Sequence, residues 1–323
     1  MNKRIYGILG VSSIMANWNA DFTGYPKTTS NGDVFGSDKA FKYPMKKMWE
    51  NSGEKVLYIK SMKLSEGKDG EVELVPRSLK ERYEYIFNEE DLKKNKDRRK
   101  ILMNLFSAID VKNFGATFAE EGNNISITGA VQIGQGFNKY EDSYPEEQQI
   151  LSPFRDASVK ENKKSKKDDN EEQEEAKSST LGTKIVSNEA HYFYPFTVNP
   201  LAYKEFVELG VTDGYIEEDY LKFKKASISA ATSFATNSKV GCENEFALFV
   251  ETESDLYLPN LTQYIKFEKG EDKNTITLTC DKLLNDLKER ILNIEVYYNP
   301  YTTKIDANIE GAKFYNVFTN EEV

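Results

Sequence analysis

The sequence predicts an α+β protein built on a sheet of ferredoxin or RRM type. Three observations lead there. Hydrophobic residues are 39% and charged residues 30% of the 323, the balance of a globular chain. No apolar run approaches the ~18 residues that a membrane-spanning helix needs. The predicted elements run strand–helix–strand–strand–helix–strand with insertions, and no repeat of roughly 20–50 residues suggests a solenoid.

The elements follow in order. Residues 3–15 read as a strand. Lys3 and Arg4 ahead of the apolar stretch 5–16 imitate a secretory leader, but Tyr6, Gly7, Gly10, Ser12 and Ser13 interrupt it, so a strand entering the core is expected. Residues 16–36 are rich in Asn, Asp, Gly and Pro and read as a long loop. Ser37 caps a helix over 38–50, which Pro44 should kink. Strands are expected at 55–61 and 71–76 around a Gly67-Lys68-Asp69-Gly70 turn. A basic amphipathic helix is expected over 88–108, with Leu92, Ile101, Leu105 and Ile109 on its apolar side. Strands at 115–119 and 125–133 flank the Gly122-Asn123-Asn124 turn.

Residues 160–178 are a charged tract whose single apolar residue is Ala176, which predicts a mobile loop or hairpin tip. Then come a strand at 184–198, a helix at 217–234, strands at 244–251 and 274–280, a helix at 281–291, and strands at 293–299 and 312–318.

The net charge is −10, which argues against indiscriminate nucleic-acid binding. Its distribution says more. Residues 1–60 hold nine Lys/Arg against five Asp/Glu, and residues 91–115 hold seven against three, so each segment is net +4. A local cationic face on an acidic chain still holds a phosphate backbone, because charge is screened beyond ~10 Å. The alternative is a set of ordinary solvated helix faces. Two cysteines, Cys242 and Cys280, form no CxxC pair, so neither a disulfide scaffold nor a thiolate zinc site is expected. Few cysteines suit a reducing cytoplasm. His191 is the one histidine, which leaves little room for imidazole catalysis, and it reads as a satisfied sheet residue. No metal site, cofactor or catalytic residue is expected.

Three stretches together carry a resemblance. The first is Asn17-Trp18-Asn19-Ala20-Asp21-Phe22-Thr23-Gly24-Tyr25-Pro26-Lys27-Thr28, followed by Phe35-Gly36-Ser37-Asp38-Lys39-Ala40-Phe41-Lys42-Tyr43-Pro44. The second is Ile109-Asp110-Val111-Lys112-Asn113-Phe114-Gly115-Ala116, leading into Ile127-Thr128-Gly129-Ala130-Val131-Gln132. The third is Thr180-Leu181-Gly182-Thr183-Lys184. Over nearly the whole chain the sequence resembles the Cas-seven-type backbone subunit of the type I CRISPR surveillance complex Cascade, and its Csh-two-like subtype I-B branch in particular.

The resemblance implies an RRM-like palm, a finger insertion and a thumb hairpin. On this chain the palm starts at 1–50, the finger is 51–108, palm strands follow at 109–136, the thumb is 137–183, and 184–323 completes the palm. It implies copies polymerising head-to-tail along CRISPR RNA, each thumb flipping one base and the rest pairing with target DNA. Other Cascade subunits and a recruited helicase–nuclease complete the implied partners, with no membrane.

A guide spine must grip phosphate and 2′-OH and leave base edges free. Lys27, Lys39, Lys42 and Lys46 would supply charge, and Asn17, Asn19, Thr23 and Ser37 neutral hydrogen bonds. Lys112 and Asn113 precede a strand and are expected on the RNA side, with Lys112 standing where relatives usually carry Arg. Gln132 and Gln135 flank glycines that allow close approach, and Lys184 ends the third stretch. Leu151 or Phe154 would wedge between bases. Asp110 reads as a structural partner of a base or a turn. The RNP aromatic pattern is missing, so RNA is not expected on the sheet by stacking.

Two alternatives stand beside this one. One is a metal-dependent target-RNA endoribonuclease of type III-like backbone kind, using Asp21, Asp33 or Asp38. The other is an RNA-binding scaffold outside CRISPR.

Overall fold

A computed structural model describes residues 1–67, 70–151 and 181–323. Lys68, Asp69, Phe154 and the charged tract 160–178 lie outside them. The chain opens on β1 (Lys3–Ala16), then β2 (Phe35–Gly36) and α1 (Asp38–Asn51). There follow β3 (Met62–Glu66), β4 (Val72–Pro76), α2 (Leu79–Phe87), α3 (Arg98–Ser107), α4 (Ile109–Phe114), β5 (Gly115–Phe118) and β6 (Ile125–Thr128). Next are β7 (Val131–Ile133), β8 (Gly136–Asn138), β9 (Pro145–Leu151) and β10 (Leu181–Val198). The last part holds α5 (Lys204–Glu208), α6 (Glu217–Ser227), α7 (Ala230–Ser233), β11 (Cys242–Glu253), β12 (Ile265–Glu268), β13 (Asn274–Leu278), α8 (Asp281–Asp286), β14 (Ile291–Tyr298), β15 (Thr303–Asp306) and β16 (Lys313–Asn316).

The main sheet runs β16-β14-β11-β1-β10-β8-β2, with β7 and β9 also paired to β10. β1 is central and antiparallel to both neighbours, with Ile5 opposite Val198 on one side and Glu251 on the other. Side chains alternate across a strand. Ile5, Leu9 and Val11 therefore join one core with α1, α3, α4 and α6, while Tyr6 and Ile8 join a second core under β12, β13 and β15. Both faces of the sheet are covered. Among the described residues no helix is long and apolar enough to cross a membrane.

Several sequence expectations move. Residues 55–61 are not a strand; the pair is β3 with β4, Met62 opposite Pro76. The cause is local. The amides of Leu57 and Tyr58 donate to the buried Asp110 carboxylate at 2.8 Å each, so they have none to give a ladder. The helix expected over 88–108 begins only at Arg98, where Asp97 accepts from the amides of Arg99 and Lys100. Ahead of it α2 ends at Asn88, which is left-handed. The single strand expected over 125–133 is two, β6 and β7, in different sheets. The break is Gly129: a Cβ there would meet the Phe114 carbonyl carbon at 2.2 Å, and one on Gly115 would meet the Ile127 oxygen at 2.1 Å. The two backbones cross too closely for any side chain. α1 continues through Pro44 as one helix, and the helix expected over 217–234 is divided into α6 and α7. β12 and β15 were not foreseen.

Candidate nucleic-acid interface

The N-terminus of α1 is built from the preceding loop. Ser37 caps the helix, its hydroxyl accepting from the Ala40 amide at 3.3 Å. Asn19 reaches across and accepts from the Ser37 amide at 2.7 Å. Gly36 has no room for a side chain because Trp18 and Tyr194 close on it, the indole N–H donating to the Tyr194 hydroxyl at 2.6 Å. α1 buries Phe41, Met45 and Trp49. Its helical repeat then turns Lys39, Lys42 and Lys46 along the opposite side.

Those lysines line a groove of about 520 Å³ between α1 and the segment Phe114–Thr117, with Tyr43 and Tyr58 also in its wall. The Lys42 ammonium lies 5.0 Å and the Lys46 ammonium 6.0 Å from the Phe114 ring centroid, a cation–π floor. Phe114 is itself held by Trp49 at 5.7 Å between centroids. Lys42 pairs with Asp38 at 2.9 Å and Lys46 with Asp110 at 3.7 Å, while Lys39 is exposed. Three ammonium groups thus face two carboxylates. Burial lowers the Lys46 pKa and the neighbouring Lys42 adds to that, with Asp110 opposing. Burial, then Asp110 and Glu120, push the Tyr58 phenol up to about 12, so it stays a neutral donor, bonded to the Thr117 carbonyl at 2.7 Å. The arrangement holds surplus positive charge beside apolar rings, the chemistry of a site for a phosphate chain.

The structure brings only some of the expected residues together. Lys39, Lys42 and Lys46 share the groove, and Ser37 and Asn19 organise its helix. Lys27 stands 5.6 Å from the Phe35 ring, and Thr23 is exposed with its hydroxyl on Asp21 at 2.7 Å. Gln135 is exposed, and Gln132 is exposed at a separate cavity near Pro195 and Leu258, its amide on the Gly129 carbonyl. Lys184 lies 3.4 Å from the Asn237 side chain, and Leu151 is exposed at the end of β9.

Three more of the expected residues do not line the groove. Asn113 is 0% exposed, its amide donating to the Ile109 carbonyl at 2.8 Å and its oxygen accepting from Tyr215 at 2.7 Å. The short helix α4, unforeseen, turns it inward. Lys112 pairs with Asp219 at 3.0 Å and lines a different cavity from the three lysines. Asn17 is buried, its amide donating to the carbonyls of Gly24 at 2.9 Å and Ile185 at 3.3 Å, so it anchors the loop.

Asp110 is structural, as its motif suggested, and so is His191, which is bonded to Glu245 at 2.7 Å and Glu189 at 2.9 Å. Asp21, Asp33 and Asp38 do not converge: Asp21 holds its own turn, Asp33 pairs with Thr29, and Asp38 with Lys42. Sequence reasoning missed Tyr58 and Lys239, whose ammonium donates to the Asn17 carbonyl at 2.6 Å and to that of Trp18. Nothing local marks either one, because each acts across the fold.

A sheet covered on both faces, with a cationic, aromatic-floored groove beside α1, defines a candidate nucleic-acid-binding protein. The family model for CRISPR-associated protein Cas7 matches residues 3–283, and the chain belongs to that family. The fold is similar to a chain of a solved "CRISPR RNA-guided surveillance complex, pre-nicking", with TM-score 0.51, 14% identity, and 97% of this chain and 96% of that one covered. No curated protein matches by sequence.

Proposed function

We propose that this chain is a CRISPR RNA-binding backbone subunit of a type I surveillance complex, with the subtype I-B, Csh-two-like branch as its place. Copies polymerise head-to-tail along the guide and present it for pairing with target DNA in antiviral defence. Other subunits complete the complex, and the cutting belongs to a recruited helicase–nuclease, so no catalytic step is assigned here. The observation that carries this reading is the surplus of ammonium groups along α1 facing Phe114 and Tyr58.

The strand order supports an RRM-like palm. β11-β1-β10-β7, all antiparallel, with α1 and α6 between the outer pairs in sequence, is the ferredoxin arrangement. The sheet face that an RRM leaves open for RNA is covered here by β12, β13 and β15, which supports a route along α1 instead. The β9–β10 ladder, with Leu151 opposite Leu181 at its far end, supports a thumb hairpin. β3, β4, α2 and α3 support a finger.

The test is to purify the chain from cells carrying a CRISPR array and sequence the bound RNA. Repeat-derived guides of uniform length are the expected result. Random cellular transcripts would favour a general RNA scaffold. Mg²⁺-dependent cuts in a matched RNA, abolished by Asp→Asn at Asp21, Asp33 or Asp38, would instead favour the endoribonuclease.

A further inference from the structure

The loop before α1 presents Phe22 wholly to solvent, at 101% of reference exposure. The turn beneath it is firmly built. The Asp21 carboxylate accepts from the Thr23 amide at 2.8 Å, the Thr23 hydroxyl at 2.7 Å and the Tyr25 amide at 3.2 Å. The Asp21 amide donates to the Tyr25 carbonyl at 2.8 Å, and Ala20 bridges to Pro26 below. The turn is also fixed on two sides. Asn17 and the Tyr25 hydroxyl, which bonds Glu147, tie it to the β9–β10 hairpin. Asn19 ties it to the first turn of α1, the helix that carries Lys39 and Lys42. Lys27 follows directly.

We propose that Phe22 is a stacking platform for an unpaired base of the RNA strand held by the lysine groove, an inference that rests on the reading above. Every base has a π-face, so a ring stacks on any of them and reads no letter, as a guide holder requires. The turn that carries the ring is fixed in advance, so stacking orders only the side chain. The surroundings favour a base over a protein partner. Along the chain its flanking residues Ala20, Asp21 and Thr23 are small or polar, unlike the apolar centre of a protein interface.

The test uses the full chain freed of RNA and single-stranded RNA carrying 5-iodouridine, which photocrosslinks to stacked aromatic rings. Peptide mapping should find the crosslink on Phe22. Phe22→Ala should abolish it and weaken binding about tenfold, with the salt dependence unchanged because no phosphate contact is lost. Phe22→Trp should keep both. Lys39→Glu with Lys42→Glu serves as the second arm and should lower affinity and salt dependence together. A Phe22→Ala chain that binds and crosslinks normally while the lysine variant fails overturns the platform and spares the groove. Loss of self-association alone in Phe22→Ala would make it a protein contact and also overturn the platform. If neither variant loses RNA affinity, the RNA-binding reading itself falls.

Discussion

Two ionic centres sit on opposite sides of the sheet and use their cations differently. At the groove, Lys39, Lys42 and Lys46 share the Asp38 and Asp110 carboxylates, which leaves one positive charge over, and Lys39 is open to solvent. On the other side, His191 is enclosed. Glu245 takes one ring nitrogen and Glu189 the other, Phe267 stacks on the ring at 3.8 Å between centroids, and Lys269 holds Glu189 at 2.6 Å. A ring with a carboxylate on each nitrogen joins two layers. A cation left short of partners remains available to a ligand.

The largest way to break this contrast is Asp110→Ala. It leaves the amides of Leu57 and Tyr58 without an acceptor and Lys46 without its counter-charge. Losing one side of such a buried set costs roughly 3–5 kcal/mol, read from the urea midpoint. A loss under about 1 kcal/mol would mean that the carboxylate is not the anchor assigned here. Next is Lys39→Glu with Lys42→Glu, which should cut RNA affinity on the order of a hundredfold at low salt and lower the salt slope by about two. His191→Gln should leave RNA affinity where it is; a matching drop would erase the difference between the two centres.

A smaller effect is set by pH. Burial alone would lower the His191 pKa, but the Glu245 and Glu189 carboxylates outweigh it and raise it above its ordinary 6.5. The stabilisation is therefore complete below about pH 6.5 and fades as pH rises through the folded-state value. Urea midpoints of the native chain should fall across that window more than those of His191→Gln. Parallel curves would show the imidazole to be neutral in the clamp. Smallest of all, excising residues 160–178 should shift the melting temperature by no more than about 2 °C, since a tract with almost no apolar residue contributes nothing to a core.

How much of this was legible follows from how far each cause reaches along the chain. α1 was plain because its signals are adjacent: the Ser37 cap, and lysines spaced by the helical repeat. The strands β1, β10 and β11 were legible because they are long and apolar. α2 was missed although Ser78 and Glu81 form a capping box in the sequence, because a nine-residue helix that buries only Arg82 and Tyr83 shows no periodic apolar face. Residues 55–61 look like a strand in composition and are held otherwise by a carboxylate more than fifty residues away. Asn113 was misplaced for the same kind of reason, since its inward turn depends on α4 and on Tyr215. The motif glycines Gly115 and Gly129 were readable as glycines, but that they cross each other was not.

The first strand also sets a timetable for synthesis. β1 is flanked by β10 and β11, so Ile5 meets Val198 and Lys3 meets Glu253. At roughly 5–20 residues per second, the ribosome leaves that apolar N-terminal stretch without its final neighbours for on the order of ten to fifty seconds. The newborn chain therefore carries an unpaired apolar strand until its last third emerges, the interval in which such strands are open to wrong partners.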